Sequence, residues 1–275
     1  MAKLFGALLL FGAAFASAFY FGHQSQVLKH KTVTFQPTQY PIVNRSFAVV
    51  ILGCNNGAFV EKTLQSVFSQ NYLDFRIIYV DNGSDDGSFD LAKGIVEESG
   101  QEMRCILIRN DEPLEVATNL SRIVDTCSDS EIVVVMRGED WLAHEWVLSR
   151  LNQYYADPDL WMSYGQYLQY PNYSLGASKS LSEDKFVRHQ PFQASHLKTF
   201  YASLFRQIQP SDLLFATDFA YMAPMLEMAK GHTAFIPEIL YIENQISPQE
   251  EEIADLAEKA VRSLKAYAPI EAIAL

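Results

Sequence analysis

Cysteine is scarce in this chain and badly placed for chemistry: the 275 residues hold three, Cys54, Cys105 and Cys127, and none forms a C-x-x-C pair. That spacing argues against a disulfide framework or a structural zinc site, and all three read as reduced. Basic charge is also short. There are 21 Lys and Arg against 33 Asp and Glu, a formal net charge of -12, and no run of Lys and Arg exceeds two residues. A grip on a phosphate backbone needs clustered cations, so nucleic acid is excluded as a partner. His144, His189, His196 and His232 lack metal-ligand spacing and read as hydrogen-bonding residues of the fold.

Long hydrophobic runs are missing too, with one exception. Residues 4–22 are apolar or small throughout, about 19 residues or roughly 28 Å as a helix, just enough for a bilayer core of about 30 Å. Ala16, Ser17 and Ala18 spell an A-x-A cleavage site after a twelve-residue apolar stretch. Three readings stay open: a retained anchor, an export signal cleaved after Ala18, or a buried core helix. Lys29 and Lys31 outnumber Lys3, which favours a cytoplasmic catalytic domain if the segment is kept. Residues 23–45 read as a polar linker with Pro37 and Pro41.

What is present is a repeat of strand and helix. Apolar strand-like runs fall at 47–53, 75–80, 103–108 and 132–136, and helical apolar spacing separates them, as in Val60, Leu64, Val67 and Phe68. Such alternation predicts an α/β domain whose mostly parallel, Rossmann-like sheet is flanked by helices. Ligands of open parallel sheets bind beyond the carboxyl ends of the strands. Those ends carry Asn55 with Asn56, Asp81 with Asn82, Arg109 with Asn110, and Glu139 with Asp140. Asp81 can accept from a base or a ribose hydroxyl; turn chemistry in the run 81–87 is the simpler reading of the same residues.

The succession from Ala48 to Asn56, Glu61-Lys62-Thr63-Leu64-Gln65-Ser66-Val67, Gln70-Asn71-Tyr72, Val80-Asp81-Asn82-Gly83-Ser84-Asp85-Asp86-Gly87 and Glu139-Asp140-Trp141-Leu142 resembles the family 2 glycosyltransferases with the GT-A fold. A second stretch, Ser195-His196-Leu197-Lys198-Thr199-Phe200-Tyr201 with Pro224-Met225-Leu226-Glu227-Met228 and Phe235-Ile236-Pro237-Glu238-Ile239-Leu240-Tyr241, is similar to the carboxyl-terminal half of one bacterial subgroup. The resemblance implies a GT-A domain over 46–246, with a nucleotide-binding half at 46–142 and an acceptor half at 143–246. It implies a nucleoside diphosphate sugar donor and a carbohydrate, lipid or protein acceptor. Asn55, Asp81, Asn82, Arg109 and Arg137 would contact the donor. Glu139 and Asp140 would stand where the family's D-x-D motif holds Mn²⁺ or Mg²⁺ against the diphosphate.

Aligned on Trp141, that motif reads Arg137-Gly138-Glu139, a cation in place of the first acid. Arg137 then faces away toward a surface acid, or reaches the diphosphate itself, or marks a protein that no longer turns over. Gly53-Cys54 is a further departure, at the base-seating position.

Asp218, at the head of an apolar helix-like run through Met228, is the candidate base for an inverting transfer; helix capping is the competing role. Tyr154, Tyr155, Trp161, Tyr164, Tyr167, Tyr170 and Tyr173 read mostly as packing. Ser247-Pro248-Gln249-Glu250 has the form of a capping box, and Ile253, Leu256, Ala260, Val261 and Leu264 mark the docking face of a helix within 247–275. Two alternatives accompany the transferase: a non-catalytic protein that uses the fold to hold a sugar nucleotide or a partner, and a nucleotidyltransferase. The last is disfavoured because no glycine-rich loop with a basic residue follows the first strand.

Overall fold

The computed structural model describes residue 41 and residues 43–182, 185–215, 217–244 and 249–275, the last without the side chains of 249–255. The apolar segment 4–22, most of the expected linker and the Ser247-Pro248 capping pair lie outside the described residues. Among the described residues no helix is long and apolar enough to cross a membrane.

The first half alternates as its periodicity predicts. β1 (Phe47–Gly53), α1 (Val60–Phe68), β2 (Phe75–Asp81), α2 (Ser88–Glu98), β3 (Cys105–Arg109), α3 (Val116–Val124) and β4 (Ile132–Arg137) follow in order. Strand 103–108 begins later than predicted, because Met103 is fully exposed outside the sheet. Then come β5 (Trp141–Leu142), α4 (Val147–Tyr154), β6 (Met162–Tyr170), β7 (Ser174–Leu175), β8 (Lys198–Tyr201), α5 (Ala202–Phe205), α6 (Phe219–Met228), β9 (Thr233–Asn244) and α7 (Gln249–Ser263).

One sheet runs in the order β3-β2-β1-β4-β8-β6-β9-β5, with β7 beside β6. The pairs β3-β2, β2-β1 and β1-β4 are parallel, while β8 enters antiparallel between β4 and β6. The parallel half is therefore joined to a mixed half. Both faces of β1, β2 and β4 are largely buried, which is why these strands read as nearly continuous apolar runs, while the edge strand β3 leaves Ile106 and Ile108 exposed. Phe47, Val49 and Ile51 point to one core with α1, α2 and α4 against them, and Ala48 and Val50 point to the other, covered by α3, α5 and α6. Each fully buried Val, Ile or Phe contributes about 1.5–3 kcal/mol of transfer free energy.

After β3 the chain reverses its direction along the sheet, since β4 lies on the opposite side of β1 from β2. That makes the carboxyl ends of β1 and β4 the topological switch point, where a crevice opens.

α7 docks, but over a narrower face than its spacing suggested. Val261 is buried against Phe219, Ala220 and Ala223, and the Arg262 guanidinium lies 4.6 Å from the Phe219 ring, whereas Leu256 is 64% exposed. A buried, bidentate Arg188–Glu227 pair lies under the tail, where Glu227 also accepts from the Tyr267 amide at 3.0 Å.

Candidate active site

A cleft of about 170 Å³ occupies the switch point, lined by Gly53 and Cys54 from the end of β1, Asn82 after β2, Met136, Arg137 and Glu139 at the end of β4, and His196, Lys198 and Asp218 from the second half. Three short stretches bring these groups together. β8 runs against β4 with Lys198 paired to Val135, so its first residue arrives beside the last residues of β4. α6 then starts at the same edge and presents Asp218.

Glycine at 138 makes the crossing possible. A Cβ there would stand 2.5 Å from Asn56 Nδ2 and 2.6 Å from the Gly53 Cα, so the ends of β1 and β4 approach as closely as backbone allows. Asn56 donates to the Gly138 carbonyl at 2.6 Å, and the Thr63 hydroxyl donates to the same oxygen at 2.8 Å. The loop that carries Arg137 and Glu139 is thus pinned from beneath.

The charged groups of the cleft are paired. Arg137 Nε lies 2.7 Å from Glu139 Oε1, and Lys198 Nζ lies 2.6 Å from Asp218 Oδ2. Lys198 is only 2% exposed, and His196 Nδ1 stands 3.4 Å from its ammonium while His196 Nε2 faces Glu243 at 3.3 Å. Burial and the neighbouring Lys198 push His196 down to about 4, so the ring is neutral at physiological pH. Burial would raise Asp218, but the Lys198 ammonium, aided by His196 and Arg137, holds its carboxyl at about 2. Burial would likewise lower Arg137, and the charges of Glu139, Asp140 and Asp218 reverse that and fix it as a cation.

Asp218 is not a helix cap. Its side chain makes no cap hydrogen bond, and its second oxygen instead accepts from Tyr221 Oη at 3.0 Å. Asn82 lines the cleft while its side-chain Oδ1 accepts from the Asn110 and Asn119 side-chain amides and from the Leu114 backbone amide, which ties the β3–α3 loop to the site.

Asp81, fully buried, lies in register with Gly53 just below the cleft wall. Its Oδ1 accepts from the Ser84 amide at 3.0 Å, and its Oδ2 has no partner among the described residues. An orphaned carboxylate oxygen beside a crevice is suited to a donor from a ligand. Arg109 lies on the other side of Asp81, 3.9 Å away, outside the cleft lining. Asn55, at a left-handed φ of 51°, accepts from the Asp85 amide and likewise stands off the lining.

Glu139 and Asp140 part company. Glu139 faces the cleft, whereas both oxygens of the fully buried Asp140 are taken, by Tyr241 Oη at 2.8 Å and the Asn244 amide at 2.7 Å. Asp140 therefore ties β9 to the end of β4. Burial, with the charge of Glu139, pushes its carboxyl up to about 7. Among the described residues no group of three His, Cys, Asp or Glu could hold a metal ion. A divalent ion on Glu139 would meet the guanidinium that already touches that carboxylate, and like charges about 4 Å apart repel by about 4 kcal/mol per unit product at an effective dielectric near 20. The donor set does not fit Mn²⁺ or Mg²⁺.

Lys198 received no role from sequence. Its signal was present: a lysine inside Leu197-Lys198-Thr199-Phe200-Tyr201, all buried, has to face a partner.

Residues 48–214 match the family described as glycosyl transferase family 2. The chain belongs to that family. Among solved structures it is similar to the mannosyltransferase PcManGT of Pyrobaculum calidifontis, solved with GDP-Man and Mn²⁺, at 18% identity and a TM-score of 0.60 over 95% of this chain and 76% of that one. It is similar to residues 1-349 of S. aureus TarS with UDP-GlcNAc, at 12% identity and a TM-score of 0.58, covering 75% of this chain and 60% of that one. A third likeness is glucosyl-3-phosphoglycerate synthase from Mycobacterium tuberculosis, solved with Mn²⁺, UDP and glucosyl-3-phosphoglycerate, at 15% identity and a TM-score of 0.55 over 83% and 84% of the two chains. The chain thus spans about three-fifths of the TarS fragment. No curated protein matches by sequence. The fold of this family member is GT-A, as the order of its motifs implied.

Proposed function

We propose that this glycosyltransferase moves a sugar, with inversion, from a nucleoside diphosphate sugar to an acceptor hydroxyl. One observation carries the reading: the carboxylate that immediately precedes α6, Asp218, opens into the same switch-point cleft as the β4 end and the wall beside Asp81. The nucleotide-sugar complexes of its structural relatives support a donor of that class.

Asp81 Oδ2 accepts from the nucleoside, and Asn82 shapes the wall beside it. In the transfer the acceptor O–H proton passes to Asp218 as the oxygen attacks the anomeric carbon. The bond from that carbon to the diphosphate oxygen breaks, and its electrons leave with the nucleoside diphosphate. Asp218 performs this only when Lys198 turns away, since a carboxyl near 2 is a weak base. Attachment to a membrane through residues 4–22, or export after cleavage at Ala18, belongs to the same reading and is supported by the sequence alone.

The Lys198–Asp218 pair also favours a second reading, a binding protein that keeps the fold without turnover. Titration calorimetry with a panel of nucleoside diphosphates, followed by assay of slow donor hydrolysis, separates the two. Transfer predicts binding plus release of free sugar that disappears in Asp218→Asn. Tight binding with no release at any donor supports the inert protein, and no binding across the panel sinks both the transferase and a protein that holds a sugar nucleotide.

A further inference from the structure

We propose that Arg137 and Lys198 together form the diphosphate-binding site of the cleft, two side-chain cations standing where a divalent ion would otherwise stand. The inference rests on the sugar-transfer reading and deepens it.

The sheet puts both cations on one face. Lys198 is the register partner of Val135, and Arg137 follows Val135 by two positions, so the side chains of Lys198 and Arg137 project to the same side of adjacent strands. Both line the same cleft, Arg137 at its mouth with 41% of its side chain accessible and Lys198 at its base. Among the described residues no other Lys or Arg lines it. In a chain of net charge -12 such a pairing stands out.

The partners of these cations are carboxylates that an anion can replace. Arg137 holds Glu139 and Lys198 holds Asp218, so the cleft carries equal formal charge of each sign, and a diphosphate entering it exchanges carboxylate oxygens for phosphate oxygens around cations already in place. Guanidinium matches two phosphate oxygens as a fork, and ammonium supplies a point charge at the second phosphate. A metal ion has no comparable exchange. The acid next in sequence, Asp140, is committed to Tyr241 and Asn244, and Glu139 can take an ion only against the charge of Arg137. The exchange has a further consequence: a diphosphate that recruits Lys198 releases Asp218, so donor binding itself frees the base.

The test is titration of the full chain with UDP and GDP, and with uridine and guanosine, in EDTA and in MnCl₂. The wild-type affinity for whichever nucleoside diphosphate binds is expected to agree within about threefold between the two media, as a site without a metal requires. Arg137→Gln is expected to weaken the nucleoside diphosphate about tenfold or more while leaving the nucleoside unchanged, the loss of one charge-assisted contact. Arg137→Asp, which turns the position into an acid, should lose binding in EDTA and regain it in Mn²⁺. Affinity that rises more than about threefold with Mn²⁺ in the wild type, or an equal loss of nucleoside and diphosphate in Arg137→Gln, overturns the inference and leaves sugar transfer standing. Absence of binding in both media overturns the two together.

Discussion

Lys198 and Asp218 hold each other at 2.6 Å across the gap between β8 and α6, with His196 behind the lysine and Tyr221 behind the aspartate. This short chain of contacts makes the site sensitive to acid. Both His196 and Asp218 have folded-state pKa values below their ordinary ones of 6.5 and 3.8, at about 4 and about 2. The unfolded chain therefore takes up their protons first, and the stability they contribute is complete above the unfolded values and lost as pH falls.

For His196 the window is from about 6.5 down to about 4. The stability of wild type minus that of His196→Gln should shrink steadily across it in denaturant titrations, since glutamine does not titrate. A difference that stays flat over this range would show that the folded protein takes up this proton as readily as the unfolded chain.

Asp140 works in the opposite direction. Its folded pKa is raised from 3.8 to about 7, so the folded state keeps a proton that the unfolded chain releases, and the resulting stability is full below about 3.8 and lost as pH climbs through 7. The stability of wild type minus Asp140→Asn should consequently grow as pH falls from about 7 toward 4, by an amount on the order of a few kcal/mol. The same denaturant titrations at stepped pH read it, and a difference that shrinks toward acid would refute the assignment.

Gly138 is expected to be nearly intolerant of a side chain. Gly138→Ala would drive a methyl against the Gly53 backbone at 2.6 Å and the Asn56 amide at 2.5 Å, displacing the loop that carries Arg137 and Glu139. Overpacking of this kind costs about 1–3 kcal/mol. Calorimetric unfolding should show that loss together with weakened nucleoside diphosphate binding, whereas unchanged binding would mean that the loop is not positioned by this crossing.

Much of the architecture was legible because it depends on local pattern. Apolar runs of five to seven residues, interrupted only by Arg76 in β2 and separated by helical spacing, identified β1, β2 and β4 almost to the residue, since strands buried on both faces carry no polar alternation. The helix at 60–68 was equally plain from Val60, Leu64 and Val67. Strand 103–108 was placed too early because Met103 is apolar but lies outside the sheet, and periodicity does not weigh exposure. Leu256 misled for the same reason.

The site was legible only in part. Strand ends pointed to the right edge, yet Asn55, Arg109 and Asp140 face away from the cleft lining while Lys198 and His196 occupy it. Sequence position names which residues sit at an edge, and hydrogen bonds made with distant partners decide which way each one turns. Asp140 shows this best: adjacent to Glu139 in the chain, it is claimed by Tyr241 and Asn244, more than 100 positions away.

By itself, then, the sequence determined the strand-helix alternation, the family, and the acidic, cation-poor character that makes each buried cation conspicuous. Tertiary structure alone decided that a lysine from an antiparallel strand would arrive on the same face as an arginine two positions beyond its partner at the switch point. That meeting depends on the β4–β8 register, a long-range pairing between segments some 60 residues apart, and no local pattern encodes a contact whose two halves are specified separately.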